Sequence, residues 1–201
     1  MDKKAYFDQA AEMWDRRFHT SNLSKFLESL VPQFGITSGQ KILDVGTGTG
    51  ILVPYLTKAV GHNGSVTAID YSEKMLQRCE KKHSHIKNVN IRVGNIEEKI
   101  FPPESFDVII CFGVFPHLDN KQQALNNMNY ALEPHGKLVI AHALSSEELR
   151  AHHKKVSVHV AHATLPEKNE MTKLLEQAGF TGISIKDEPG LYLCIAYKAE
   201  I

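Results

Sequence analysis

The chain has 201 residues, 42% hydrophobic and 23% charged, enough for one α/β domain to bury a core unaided. Lysine plus arginine and aspartate plus glutamate number 23 each, so no net field draws in a polyanion, and nucleic acid is not an expected partner. No stretch approaches the roughly 20 apolar residues of a membrane span, and the charge-mixed first 18 residues lack a signal peptide's apolar run, which predicts a cytoplasmic protein with no integral membrane segment.

Residues 1–201 are expected to form a single domain, as a monomer or homodimer. From Tyr6 to Leu30, apolar residues recur at helical spacing with a break near Thr20-Ser21-Asn22, which predicts two short helices. After Pro32 and Gly35–Gly39, Lys41–Val45 reads as a buried strand running into the turn Gly46-Thr47-Gly48-Thr49-Gly50, and Ile51–Val60 as a helix whose first turn tolerates Pro54. Ser65–Ile69 reads as a second strand ending at Asp70, followed by a helix over Glu73–His83 with Ser72 as its N-cap. Val89–Val93 is the third strand and Asp107–Cys111 the fourth. A helix from Lys121 to Leu132 and the turn Glu133–Gly136 lead into a fifth, Lys137–Ala141.

A polar, histidine-rich stretch from 145 to 166 precedes a helix over Glu167–Ala178, which Gly179 closes. Gly182–Lys186 and Leu191–Tyr197 are the last strands. The alternation predicts a Rossmann-like α/β, doubly wound, mostly parallel seven-stranded sheet with helices on both faces and an antiparallel C-terminal edge hairpin. Cys79, Cys111 and Cys194 are far apart and odd in number, which points to reduced, buried thiols.

Three glycines at alternate positions in the first strand-to-helix turn allow close approach of ligand and backbone. Their Gly-x-Gly-x-Gly spacing is not the dinucleotide pattern, and the carboxylate of Asp44 just ahead of them would repel a pyrophosphate. Asp44 suits a phosphate-free ligand that carries an ammonium group. Asp70, 26 residues later, is placed to accept two ribose hydroxyls, and the Asn95 amide to pair with an adenine edge between Ile96 and Met75.

Ile42-Leu-Asp-Val-Gly-Thr-Gly-Thr-Gly50, Ala68-Ile-Asp-Tyr-Ser-Glu-Lys-Met-Leu76, Val93-Gly-Asn-Ile-Glu97, Phe106-Asp-Val-Ile-Ile110 and Leu132-Glu-Pro-His-Gly-Lys-Leu-Val-Ile140 together resemble the ordered motifs of class I methyltransferases that use S-adenosylmethionine (SAM). Phe7-Asp-Gln-Ala-Ala-Glu-Met-Trp-Asp15 is similar to the lid helix of the ubiquinone/menaquinone-biosynthesis type, making residues 1–38 a lid. The resemblance implies SAM as cofactor and a small-molecule methyl acceptor. It also implies that Gly46, Thr47 and Gly48 line the methionine end, that Asp70 holds the ribose, and that Tyr71 and Met75 flank the adenine, while Gly50 joins the cofactor-binding candidates as the third glycine of the turn. Asn95 and Ile96 would meet the adenine edge, with Cys111 and Phe112 beside the sulfonium. Many relatives carry aspartate where this chain has Asn95, whose amide can still accept from and donate to adenine.

His117, after the fourth strand, is the candidate catalytic base. His142, His153, His159 and His162 are candidates for a divalent metal, although no carboxylate or cysteine completes a diagnostic spacing. Tyr6, Phe7 and Trp14 can form an aromatic cover for a sulfonium or simply pack together. Alternatives are a non-catalytic binder of SAM or S-adenosylhomocysteine, a metal-assisted methyltransferase, and a nicotinamide oxidoreductase. The last has the wrong glycine spacing and no Tyr-x-x-x-Lys pair.

Overall fold

β-Branched and leucine-rich runs form the strands, as their short length and apolar character require. The computed structural model describes residues 3–18, 20–156 and 163–200, apart from the side chains of 153–156. Seven strands make one mostly parallel sheet in the order β3-β2-β1-β4-β5-β7-β6: β1 (Lys41–Val45), β2 (Ser65–Asp70), β3 (Val89–Val93), β4 (Phe106–Phe112), β5 (Leu132–His142), β6 (Phe180–Glu188) and β7 (Leu191–Lys198). Two compact units carry these strands, Met1–Asn95 and Ile96–Ile201.

In the first unit β1 pairs in parallel with β2, and β2 with β3, through registers such as Asp44↔Ala68 and Asp70↔Val93. Ile42, Leu43, Val66 and Ala68 are fully enclosed. Helices α4 (Val53–Val60) and α5 (Glu73–His83) present their apolar stripes to this core, and Val53, Ala68 and Cys79 form a cluster with Ile86, Val89 and Ile91. Pro54 sits in the first turn of α4, where its missing N–H has no intrahelical partner to lose. The Ser72 hydroxyl accepts from the Met75 amide, capping α5.

Two helices were expected before β1; three occur among the described residues, α1 (Lys3–Ala10), α2 (Trp14–Phe18) and α3 (Ser21–Leu30). The break at Thr20 is there, and the Thr20 side chain caps α3 by accepting from the Leu23 amide. A second break falls at Ala11–Met13, between the two runs of aromatic residues.

In the second unit β4 and β5 are parallel, while β7 runs antiparallel to both β5 and β6. Helix α6 (Lys121–Ala131) buries Ala124, Leu125 and Met128, and α8 (Lys168–Gln177) buries Met171 and Leu175. The turn expected at Glu133–Gly136 is instead a bulge inside β5: Phe106 pairs with Leu132 and Val108 with Lys137, and the extra residues are looped out with His135 at φ 60°.

The stretch from 145 contains a helix that periodicity did not predict, α7 (Ser146–Val156). Its start is a reciprocal cap: the Glu148 amide donates to the Ser145 hydroxyl, and the Ser145 amide donates to Glu148 Oε2. Glu148 Oε2 also accepts from the Gly190 amide, and Asp187 accepts from the amide and hydroxyl of Ser146, so the start of α7 is moored to the β6–β7 hairpin. No helix among the described residues is long and apolar enough to cross a membrane.

Candidate active site

The turn after β1 is built on left-handed backbone. Gly46, Gly48 and Gly50 have φ of 67°, 57° and 85°, a region open to glycine at little cost. The Thr47 amide donates to the Ile69 carbonyl at 2.9 Å, tying the turn to the end of β2.

The two carboxylates at the strand ends are buried and hydrogen-bonded. Asp44 Oδ2 accepts from the Thr47 hydroxyl at 2.7 Å. Asp70 accepts from the Gly48 amide on Oδ2 at 2.9 Å and from the Ser72 amide on Oδ1 at 2.8 Å, which clamps its plane. Burial pushes Asp44 up to about 7 against the Thr47 hydroxyl bond, and neighbouring Asp70 adds to the rise. Burial also pushes Asp70 up to about 6, against the Ser72 and Gly48 amides, with Asp8 adding to it. Both sites reward an incoming cation or hydroxyl donor.

The glycines divide the work. A Cβ at Gly48 would meet only Trp14 Nε1, at 3.9 Å, so this position leaves room for a ligand. A Cβ at Gly50 would stand 2.6 Å from both Cys79 Sγ and His83 Cδ2, so the third glycine serves the packing of the turn against α5. Burial, with Asp44, pushes the Cys79 thiol up to about 12, so it stays a protonated core group.

The N-terminal helices reach this turn. Phe7 makes edge contacts with Tyr6, Trp14 and Tyr71 at centroid distances of 5.3, 5.7 and 6.2 Å. Asp8 accepts from the Ser72 hydroxyl at 2.6 Å, and Asp15 accepts from the Thr49 hydroxyl and from Lys82 Nζ at 3.0 Å. The sequence reading passed over these two latch carboxylates, which lie seven apart in the segment it took as a lid. The Asp15 and Lys82 side chains are 35% and 34% exposed, so their ion pair adds well under about 1 kcal/mol after solvent screening. Replacing Asp15 by alanine is therefore expected to lower the melting temperature by no more than about 3 °C, while limited proteolysis cuts the first 20 residues faster than in the parent.

Met75 is buried, and Asn95 follows Gly94, whose amide donates to the Asp70 carbonyl at 3.0 Å. Asp44, Gly46, Thr47, Gly48, Asp70, Tyr71, Met75 and Asn95 thus fall within one unit.

In the second unit, the Ile96 carbonyl accepts from the Asn127 side chain at 2.9 Å. The Cys111 thiol is buried against Met128 of α6, 3.6 Å from its sulfur, so any ligand contact at this position falls to the main chain. Phe112 is half-buried at the end of β4, and His117 closes the 3-10 turn Phe115–His117. His142 ends β5, its Nδ1 accepting from the Leu144 amide at 3.1 Å. The His153 side chain, His159 and His162 lie outside the described residues, and no group of three potential metal ligands occurs among the described ones.

The antiparallel β7, placed between β5 and β6, sets this sheet apart from the all-parallel dinucleotide-binding order. The methyltransferase domain family matches residues 36–179. Demethylmenaquinone methyltransferase of Staphylococcus aureus is 32% identical over 184 residues, covering 80% of this chain and 76% of that protein. The SAM-dependent methyltransferase of Aquifex aeolicus superposes with a TM-score of 0.68 at 26% identity, covering 85% of this chain and 88% of its own. Phosphoethanolamine N-methyltransferase 2 of Haemonchus contortus, solved in complex with S-adenosyl-L-methionine, shares the fold with a TM-score of 0.78 at 17% identity, over 99% of this chain and 59% of its own. The chain belongs to the SAM-dependent methyltransferase family.

Proposed function

We propose that the chain transfers the methyl group of SAM to a small-molecule acceptor, with residues 44–50, 70–75 and 95 forming the SAM site. The observation that carries this reading is the pair of buried, raised carboxylates, Asp44 and Asp70, beside a turn whose Gly48 leaves space for a ligand. Asp44 answers the ammonium of the methionine end, beside Gly46, Thr47 and Gly48. Asp70, oriented by two amides, keeps a lone pair on each oxygen for the ribose hydroxyls. Tyr71 and Met75 flank the adenine, and Asn95 pairs with its edge. In the second unit, Ile96 at the adenine edge and the Cys111 and Phe112 main chain enter this reading from the resemblance alone, and His117 as base from its place in the chain after β4.

SAM supplies a methyl group on a sulfonium that is electrophilic by its own charge. The protein's part is to bind, orient and exclude water, and Phe7 and Trp14 offer aromatic faces to a cation. The name of the Staphylococcus aureus relative makes quinone-type compounds the first acceptors to assay. Calorimetric titration with SAM and S-adenosylhomocysteine, followed by an assay of acceptor-dependent S-adenosylhomocysteine formation, tests the reading. Absence of binding refutes the site, and binding without turnover on any acceptor favours a non-catalytic binder.

Affinity should also depend on pH. A carboxylate raised to about 6 or 7 is protonated below that range and cannot pair with an ammonium, so SAM binding is expected to strengthen roughly tenfold or more from pH 5.5 to 8, with proton release. The unliganded fold moves the opposite way. Raised carboxylate pKa values favour the folded state at low pH, and that contribution is lost as pH rises through 6 to 7. Titrations in two buffers of different ionisation enthalpy measure the released protons, and a flat pH profile would refute the pairing.

A further inference from the structure

In the SAM site proposed above, every part of the cofactor has a partner except the carboxylate of its methionine end. The ammonium and carboxylate of an amino acid share one carbon, so a ligand whose ammonium meets Asp44 brings its carboxylate to the same turn. Beside two buried aspartates, that carboxylate needs a hydrogen-bond donor of its own. The turn's donors are largely spent. The amides of Thr47, Gly48 and Gly50 already donate to the Ile69 carbonyl, Asp70 Oδ2 and the Thr47 carbonyl. The hydroxyls of Thr47 and Thr49 donate to Asp44 and Asp15, and Lys82 Nζ is paired with Asp15.

Trp14, at the start of α2, has the donor that the turn lacks. Among the described residues its Nε1 is the one atom within 4 Å of the place a Cβ would take at Gly48, 3.9 Å away. The N–H edge of the indole therefore borders the space that this glycine leaves open. An indole N–H donates and cannot accept, and this one has no hydrogen-bond partner among the described residues. The ring is held where it is. Phe7 and Phe18 pack against it at centroid distances of 5.7 and 4.4 Å, and the next residue, Asp15, is bonded to the Thr49 hydroxyl of the turn. A fixed, donor-only group at this point suits an anion and offers an ammonium no hydrogen bond.

We propose that the Trp14 indole N–H donates a hydrogen bond to the methionine carboxylate of SAM, so that α2 reads the amino-acid end of the cofactor. This contact rests on the SAM site proposed above and adds to it a recognition residue from outside the glycine turn. It selects against adenosyl ligands that carry the sulfonium and the ammonium without the carboxylate.

Trp14 is the only tryptophan of the chain, so a nitrogen–proton correlation spectrum of the isotope-labelled protein carries a single indole N–H peak. Saturating SAM is expected to move that proton downfield, as a hydrogen bond to a carboxylate does, whereas decarboxylated SAM leaves it near its free position. An unmoved peak with SAM, or an equal shift with both ligands, overturns the contact. Trp14→Phe keeps an aromatic ring in the packing and removes the N–H. By calorimetry the variant is expected to bind SAM about tenfold more weakly than the parent, the loss of one charge-assisted hydrogen bond, and decarboxylated SAM equally well. Equal SAM affinity in the two proteins, or the same loss for both ligands, would assign Trp14 to packing alone and overturn the proposal. Absence of SAM binding by the parent refutes the site reading and this contact with it; SAM binding with an unmoved indole peak refutes this contact only.

Discussion

Asp70→Asn is expected to weaken SAM binding about 100-fold while the protein remains folded. The two carboxylate oxygens are fixed by the Gly48 and Ser72 amides, so each keeps a lone pair aimed away from its amide donor. Two charge-assisted hydrogen bonds to ribose hydroxyls are worth about 3 kcal/mol together, close to a factor of 100 in Kd. Asparagine offers one acceptor oxygen and one NH2 group, so one amide loses its partner and one hydroxyl meets a donor. The stability change is small by comparison, because removing a buried charge held up to about 6 offsets the orphaned amide. Calorimetry gives the affinity and a thermal melt the stability. A Kd within threefold of the parent would remove Asp70 from the site.

Gly50→Ala is expected to destabilise the fold by about 3 kcal/mol through overpacking and left-handed strain. The added methyl would overlap Cys79 Sγ and His83 Cδ2, each 2.6 Å away, and both side chains are rooted in α5 and enclosed. Relieving the overlap requires both side chains to turn or α5 to shift. At φ 85° alanine also lies outside its ordinary backbone regions, a cost that no repacking relieves. For a chain of this size the melting temperature should fall by roughly 6 to 12 °C. Cys79→Ala in the same molecule removes the sulfur overlap and should restore part of the loss, leaving the strain and the His83 contact. A melt unchanged by Gly50→Ala would mean that the turn is not packed against α5 as described.

The strand-end position of Asp70 and the packing of Gly50 differ in how much of each is local. Asp70 was legible because a buried strand, Ser65–Ile69, ends in a carboxylate and is followed by the Ser72 cap, all local signals. Gly50 was legible as a glycine, but its neighbours Cys79 and His83 lie about 30 residues on, and only the docking of α5 brings them to it. Cys111 follows the same rule: its place in β4 was clear, whereas the direction of its thiol, toward Met128, depends on how α6 packs. Helix α7 is a different case. Its Ser145-x-x-Glu148 capping signal was present, and the polar, histidine-rich composition around it masked the signal.

The sequence by itself determined the order of strands and helices, the glycine turn and the carboxylates at the strand ends. Alternation of apolar runs with capped helices and left-handed turns is decided within a few residues. Only the tertiary structure decided which groups meet. The Asp8 bond to Ser72, the Asp15 bond to Thr49, and the approach of the Trp14 indole to Gly48 join residues far apart in the chain. The physical reason is that a side chain's partners, its exclusion from water and hence its charge state are properties of the packed neighbourhood, which no local pattern encodes.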